Sequence, residues 1–307
     1  MGISDAAYGN TDKEYREICG FLNDLSTKDP FMMWKSGRMN FWRYNVHAKK
    51  ERQDTFFRDN VHVWREGQRI VGLCISEYGR NDLFIEVLPE YLHIYPNIFR
   101  WVEETWANSR ELVEIDVFGD DTQKIDRLKA QGFAFISHVE NKRIYDLDQI
   151  DLEYHLESGF TIQTFSELPD YAGKVALVQS AFENPNYSEK NVKRLTASPD
   201  YISEYDLMVV SPGKQPVAYC VGWREQARAH SGYIEPVGTH VEYRQRGFAK
   251  AVIKECFARM KANNIRTVEI ASSAEPDISN FLYDSLSPQT KKEVHKYQKK
   301  VSSPSDP

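Results

Sequence analysis

The stretch Thr239-His240-Val241-Glu242-Tyr243-Arg244-Gln245-Arg246-Gly247-Phe248-Ala249-Lys250 decides the reading of the chain. Before it runs an extended segment with Tyr233, Ile234 and Val237. After it Val252, Ile253, Cys256, Phe257 and Met260 recur at a helical period. A strand therefore enters a short loop with cations and a glycine, and the loop opens a helix. Backbone N–H groups at a helix start have no intrahelical acceptor, and the local dipole favours anions. Gly247 lets the backbone close around a phosphate, and Arg244 and Arg246 add positive charge. These features predict a pyrophosphate cradle.

Working outward, the chain has 307 residues, enough for two domains of ordinary size. At 41% hydrophobic and 27% charged residues it reads as soluble and globular with ample core. No apolar run is long enough to cross a bilayer, and the first residues lack the basic-then-apolar order of a secretion signal, so neither membrane nor export is expected. Cys19, Cys74, Cys220 and Cys256 are widely spaced, which fits free thiols in a cytoplasmic protein. A formal net charge of −6 argues against nucleic acid as a partner, and the scattered histidines suggest no metal site.

The first half carries a helical pattern over 14–25, then aromatic-rich runs at 31–34 and 39–44 that read as core. Strand patterns follow at 61–64, 70–75 and 83–87, then a helix over 98–106, a strand at 112–117, a helix over 122–130 and a strand near 143–145. The same order returns in the second half. Trp64-Arg65-Glu66-Gly67 resembles Val210-Ser211-Pro212-Gly213, and Pro89-Glu90-Tyr91 resembles Val241-Glu242-Tyr243. Val113-Glu114-Ile115 recurs as Val268-Glu269-Ile270, and Leu128-Lys129-Ala130 aligns with Leu282-Tyr283-Asp284. Four blocks in order at nearly constant offset predict two copies of one α/β module, joined near 146–159. The first copy lacks the cradle: Leu92-His93-Ile94-Tyr95-Pro96-Asn97 contains no arginine and no glycine, and Pro96 removes a donor. Lys129 stands where the second copy has Tyr283.

Arg244-Gln245-Arg246-Gly247-Phe248-Ala249 matches the [Q/R]-x-x-G-x-[G/A] signature, and the second copy resembles the GNAT superfamily of N-acetyltransferases. Asn280-Phe281-Leu282-Tyr283-Asp284-Ser285-Leu286 is similar to that family's terminal helix. The usual Gly-Phe after it is replaced by Ser287-Pro288, so a remodelled last turn is expected. The resemblance covers roughly 159–299 and reaches the first half as a degenerate copy.

It implies an α+β fold of two tandem GNAT-like modules, each a mostly antiparallel mixed sheet flanked by helices. The first, without a cradle, is expected over 1–150 and the active one over 151–300, with a disordered tail at 301–307. The resemblance further implies acetyl-CoA as co-substrate and direct attack by an amine in a ternary complex, without a metal. Val237, Gly238 and Thr239 would pair with the pantetheine arm, and 244–249 (Arg244, Gln245, Arg246, Gly247, Phe248, Ala249) would hold the pyrophosphate. Asn280 would reach the CoA arm. Tyr283 would be the general acid, and Glu235, on the strand beside the acetyl group, a general base with His240 as a competitor. Tyr187 and Trp223 would shape the acceptor pocket. A monomer is expected, with the two modules packed as an internal pseudo-dimer. The alternatives are a CoA-binding regulator without catalysis and an acyltransferase that uses another acyl-CoA.

Overall fold

The computed structural model describes residues 2–46, 50–275 and 277–301. The chain forms two compact units, Met1–Glu140 with Lys292–Pro307, and Asn141–Lys291.

The first unit begins with β1 (Ile3–Ala7), a short polar strand whose pattern gave no sequence signal. Helix α1 (Asp12–Lys28) is fixed at its start by a capping box, with the Glu14 N–H donating to Thr11 Oγ1 at 3.2 Å. It buries Ile18, Phe21, Leu22 and Leu25, the face predicted from the period. After α2 (Ser36–Phe41) and α3 (Lys50–Asn60) come β2 (Val61–Glu66), β3 (Arg69–Ile75) and β4 (Phe84–Val87). These pair antiparallel in the order β1-β2-β3-β4. Helix α4 (Tyr95–Glu104), β5 (Leu112–Phe118) and α5 (Thr122–Ala130) complete the repeat, and the chain then enters β6 (Ala134–Asp146). The aromatic runs supply core: Met32, Met33, Trp34, Met39 and Trp42 are all buried.

The second unit contains β7 (Thr161–Thr164), α6 (Tyr171–Phe182), α7 (Glu189–Thr196), β8 (Asp206–Val210), β9 (Pro216–Arg224) and β10 (Ser231–Thr239). It continues through α8 (Phe248–Ala262), β11 (Thr267–Ser273) and α9 (Asp277–Asp284). Strands β7, β8, β9 and β10 pair antiparallel in sequence order, and β10 pairs with β11 in parallel. Strand β9 is buried on both faces, so its apolar residues serve two cores. Val217 and Cys220 pack with Val252, Ile253, Cys256, Phe257 and Met260 of α8. Tyr219, Val221 and Trp223 pack with Leu177 and Val178 of α6 and Val192 and Leu195 of α7.

The last strand, β12 (Thr290–Lys300), corrects the expected division at 150 and 300. From Val294 to Lys300 it pairs antiparallel with β5, so residues from Lys292 onward belong to the first unit. The boundary on the other side falls inside β6, between Glu140 and Asn141. Val301 N–H still donates to Glu111 O at 3.0 Å; the rest of the expected tail, 302–307, lies outside the described residues.

Candidate active site

The site is built where β10 and β11 part. They pair only at Ser231–Thr267, Gly232–Val268 and Tyr233–Glu269, although β10 runs on to Thr239 and β11 to Ser273. On its other side β10 stays paired with β9 but shifts register between Ile234 and Val237, a bulge that contains Glu235 and Pro236. The bulge carbonyl of Glu235 is satisfied by Trp223 Nε1–H at 2.6 Å, and Trp223 stacks on Tyr233 with ring centroids 6.2 Å apart. Past Tyr233 no residue of β11 pairs with β10, so the β11-facing edge of β10 along Val237, Gly238 and Thr239 is left as a notch. Gly238 is set by packing: a Cβ there would lie 2.7 Å from Tyr219 Cε1 and 2.9 Å from Ala181 Cβ.

At the end of β10 the His240 N–H donates to Val217 O at 2.9 Å, and a 3-10 turn spans Val241–Tyr243. His240 Nδ1 caps that turn by accepting from the Glu242 N–H at 3.4 Å, a structural task that differs from a base's. The backbone then reverses through Gln245 (φ 62) and Gly247 (φ 79), the residue before α8. Among the described residues no acceptor takes the N–H groups of Arg244, Gln245, Arg246 or Gly247. A Cβ on Gly247 would meet nothing within 4 Å, so the glycine serves the left-handed conformation and the space over it is open. Exposed, unpaired amides at a helix start form an anion nest, and a diphosphate fits it. Arg244 donates to Ala181 O at 3.1 Å and stays exposed. Arg246 is turned aside: its Nε donates to Glu157 Oε1 at 2.9 Å, and its guanidinium lies over Phe160, Tyr243 and Phe248. Phe248 is buried beneath the cradle, and Ala249 sits half-buried in the first turn of α8.

Tyr283 on α9 is 7% exposed. Burial pushes its hydroxyl up to about 12, with Cys220 and Glu235 adding to the rise and Arg143 opposing it. The phenol is therefore protonated at any physiological pH and has a proton to donate. The hydroxyl has no hydrogen-bond partner among the described residues. Cys220 is buried with its thiol pushed well up by desolvation, so it is no nucleophile.

A framework that sequence reasoning missed holds α9 in place. Arg143, fully buried on β6, donates from Nε to Asp284 Oδ1 (2.5 Å), from Nη1 to Ser272 Oγ (2.9 Å) and from Nη2 to Asn280 Oδ1 (2.8 Å). Tyr145 OH donates to Tyr283 O at 2.9 Å. Asn280 also accepts from Asn141 Nδ2 (3.0 Å) and Ser272 Oγ (2.9 Å) and donates to Ser273 O (3.1 Å) and Ala274 O (3.0 Å). The expectation that Asn280 reaches a CoA arm is thus revised: both its amide donors and its oxygen are committed to the protein. An arginine at the strand position before Ile144 and Tyr145 was the one sequence signal available. Leu286 N–H bonds Tyr283 O and Ser287 N–H bonds Asp284 O, both at 3.1 Å, and Ser287 takes φ 58 where the family's glycine would stand.

Of the expected acceptor residues, Tyr187 lies in the loop between α6 and α7, half-buried, with burial pushing its hydroxyl up to about 12. Trp223 is 5% exposed and belongs to the core on the α6 side, which leaves it little surface for a ligand. Among the described residues no group of three His, Cys, Asp or Glu side chains could hold a metal, and no helix is long and apolar enough to cross a membrane.

Residues 176–285, from α6 through α9, match the acetyltransferase (GNAT) family. A protein of Staphylococcus aureus (strain MSSA476) named "Putative O-acetyltransferase" is 23% identical over 222 residues, 70% of this chain. The chain spans 33% of the length of that relative. Among solved structures, a tandem GNAT protein from the clavulanic acid biosynthesis pathway superposes with a TM-score of 0.71 at 12% identity, covering 99% of this chain and 100% of that one. A GCN5-related N-acetyltransferase from Sphaerobacter thermophilus gives a TM-score of 0.64 at 17% identity, covering 97% of this chain and 95% of the other. The parted strands, the amide nest and the match of residues 176–285 to the GNAT family coincide in the second unit, and the chain as a whole has the fold of a solved tandem GNAT protein.

Proposed function

We propose that the second unit transfers the acetyl group of acetyl-CoA to an amine by direct attack in a ternary complex. The observation that carries this reading is the continuity of the notch beyond Tyr233 with the open amide nest at 244–247. A pantetheine arm entering the notch would add to the free edge of β10, with the diphosphate on the nest. A β10 N–H would then polarise the thioester carbonyl and steady the tetrahedral oxyanion. The ammonium of the acceptor loses a proton to Glu235, directly or through water. The amine nitrogen bonds the carbonyl carbon, the C–S bond breaks, and the second proton shed by that nitrogen passes to the departing thiolate while Tyr283 hydrogen-bonds the sulfur. A phenol at about 12 lies above a thiol's ordinary value, so Tyr283 acts chiefly as a hydrogen-bond donor to the developing thiolate.

A second reading, transfer to a hydroxyl, is favoured by the naming of the staphylococcal relatives. A thiol-release assay with acetyl-CoA against matched amines and alcohols separates the two. Turnover with amines that falls at least tenfold in Glu235→Gln supports the first reading. Turnover with alcohols alone would replace it by the second, and no turnover with either would leave a CoA-binding regulator. A panel of longer acyl-CoA donors tests the acyl preference in the same assay.

A further inference from the structure

The first unit contains a cleft of its own. Just before β4, Asp82 forms a parallel bridge with Glu114 of β5, where Leu83 N–H donates to Glu114 O at 2.9 Å and Glu114 N–H to Asn81 O at 2.8 Å. β4 and β5 themselves share no ladder, and a cavity of about 320 Å³ opens beside β4. The Lys124 ammonium donates to Ile85 O at 2.9 Å, which takes the β4 carbonyl that an incoming extended arm would use. With no amide nest either, this cleft is chemically unlike that of the second unit.

The charges lining the cavity are unevenly satisfied. Lys28 is held by Asp24 (2.9 Å) and Glu90 (3.4 Å), and Asp120 by Lys292 (3.0 Å). Asp29 accepts from the Phe31 N–H at 2.8 Å, and Asp121 caps α5 through the Lys124 N–H at 3.0 Å. Three groups are left. Glu86, 2% exposed, receives its two protein hydrogen bonds, from the Met33 and Trp34 N–H groups, on Oε1, so Oε2 has no donor among the described residues. Lys124, 7% exposed, uses one of three donors, and among the described residues it has no carboxylate within 4 Å. Arg127 likewise has no carboxylate partner there and lies over the Tyr95 ring at 5.3 Å. Buried charges are costly unless paired, so one carboxylate oxygen and two cations around one cavity call for a ligand with both signs. The remaining wall joins apolar and aromatic Phe31, Val87, Leu92 and Tyr95 with polar Thr122 and Gln123. A volume of this size is at the small end of ligand pockets and suits a single small molecule.

We propose that this cavity binds a small zwitterion of the amino-acid class, its ammonium on Glu86 and its carboxylate between Lys124 and Arg127. The pH dependence follows. Burial pushes Glu86 up to about 7 against the pull of Lys124; Asp29, Tyr95 on α4, Cys74 on β3 and the α5 pair Asp121 and Arg127 are the other ionisable groups around it. An ammonium needs the ionised carboxylate, so affinity rises with pH through about 7 and is lost below it.

The test is titration calorimetry on the full chain without acetyl-CoA, using the twenty L-amino acids, each beside its deaminated acid and decarboxylated amine. At least one amino acid should bind, with both truncated analogues at least tenfold weaker. Arg127→Met, in the first unit, should weaken it at least tenfold while acetyl-CoA binding is unchanged, and Glu86→Gln should flatten the rise between pH 6 and 8. The proposal is overturned if no amino acid binds at about 10 mM, if a truncated analogue binds equally well, or if Arg127→Met binds as the wild type does. Arg127 is only half-buried, so its substitution decides the matter even if Glu86→Gln does not fold.

Discussion

Tyr283→Phe removes one oxygen and little else. The side chain is 7% exposed, its hydroxyl has no protein partner among the described residues, and its ring lies against Arg143 with the guanidinium 5.8 Å from the centroid. The phenylalanine keeps the ring in place, and the Tyr145 bond to the Tyr283 carbonyl is untouched. Stability should therefore change by less than about 0.5 kcal/mol. The lost interaction exists only once the thiolate develops, and a hydrogen bond to a charged group is worth about 1.5–3 kcal/mol. At about 1.4 kcal/mol per decade, kcat should fall roughly 10- to 150-fold with KM for acetyl-CoA unchanged. Thiol release under saturating acceptor, beside a thermal melt of both proteins, reads each quantity. A KM that rises while kcat holds would mean that Tyr283 only binds the donor. Wild-type values of both would remove it from the chemistry.

Asn280→Ala leaves the fully buried Arg143 one acceptor short and frees the Ser273 and Ala274 carbonyls; stability should drop by about 1–3 kcal/mol in urea unfolding. If Asn280 instead served mainly the CoA arm, donor affinity would fall and stability would hold. Ser287→Gly relieves a left-handed serine at φ 58 and should raise stability by about 0.5–1 kcal/mol, visible as a higher melting temperature, with activity unchanged.

The second unit's strand, loop and helix were legible because their cause is local. A positive-φ glycine after two arginines, an extended run before them and a 3.6-residue apolar period after them each act within a few residues. The repeat was legible for the same reason, through short blocks at corresponding turns. The partner of the C-terminal strand was not. The run Val294-His295-Lys296-Tyr297-Gln298 is compatible with a strand, but nothing local says that it pairs with Val113, Ile115 and Val117 of the first unit's β5. Strand pairing over such a separation is decided by tertiary packing. Asn280 illustrates the same limit inside the site. Its place on the helix of Tyr283 suggested a ligand contact, whereas Arg143 and Asn141, well over a hundred residues earlier, claim its oxygen. Arg246 looked like a phosphate ligand from its place in the signature, yet Glu157, in the segment before β7, takes its guanidinium.

The central claim is that the nest at 244–247 holds the donor, and Gly247→Asp tests it most directly. No atom lies within 4 Å of a Cβ there, so nothing is displaced; the left-handed backbone costs an aspartate about 1 kcal/mol, and its carboxylate faces the diphosphate. Isothermal titration of acetyl-CoA into the full chain should give one mole bound per chain, and the variant should bind at least tenfold more weakly with its melting curve nearly intact. Equal affinity in the two proteins, or a second mole of acetyl-CoA bound per chain, would contradict the account.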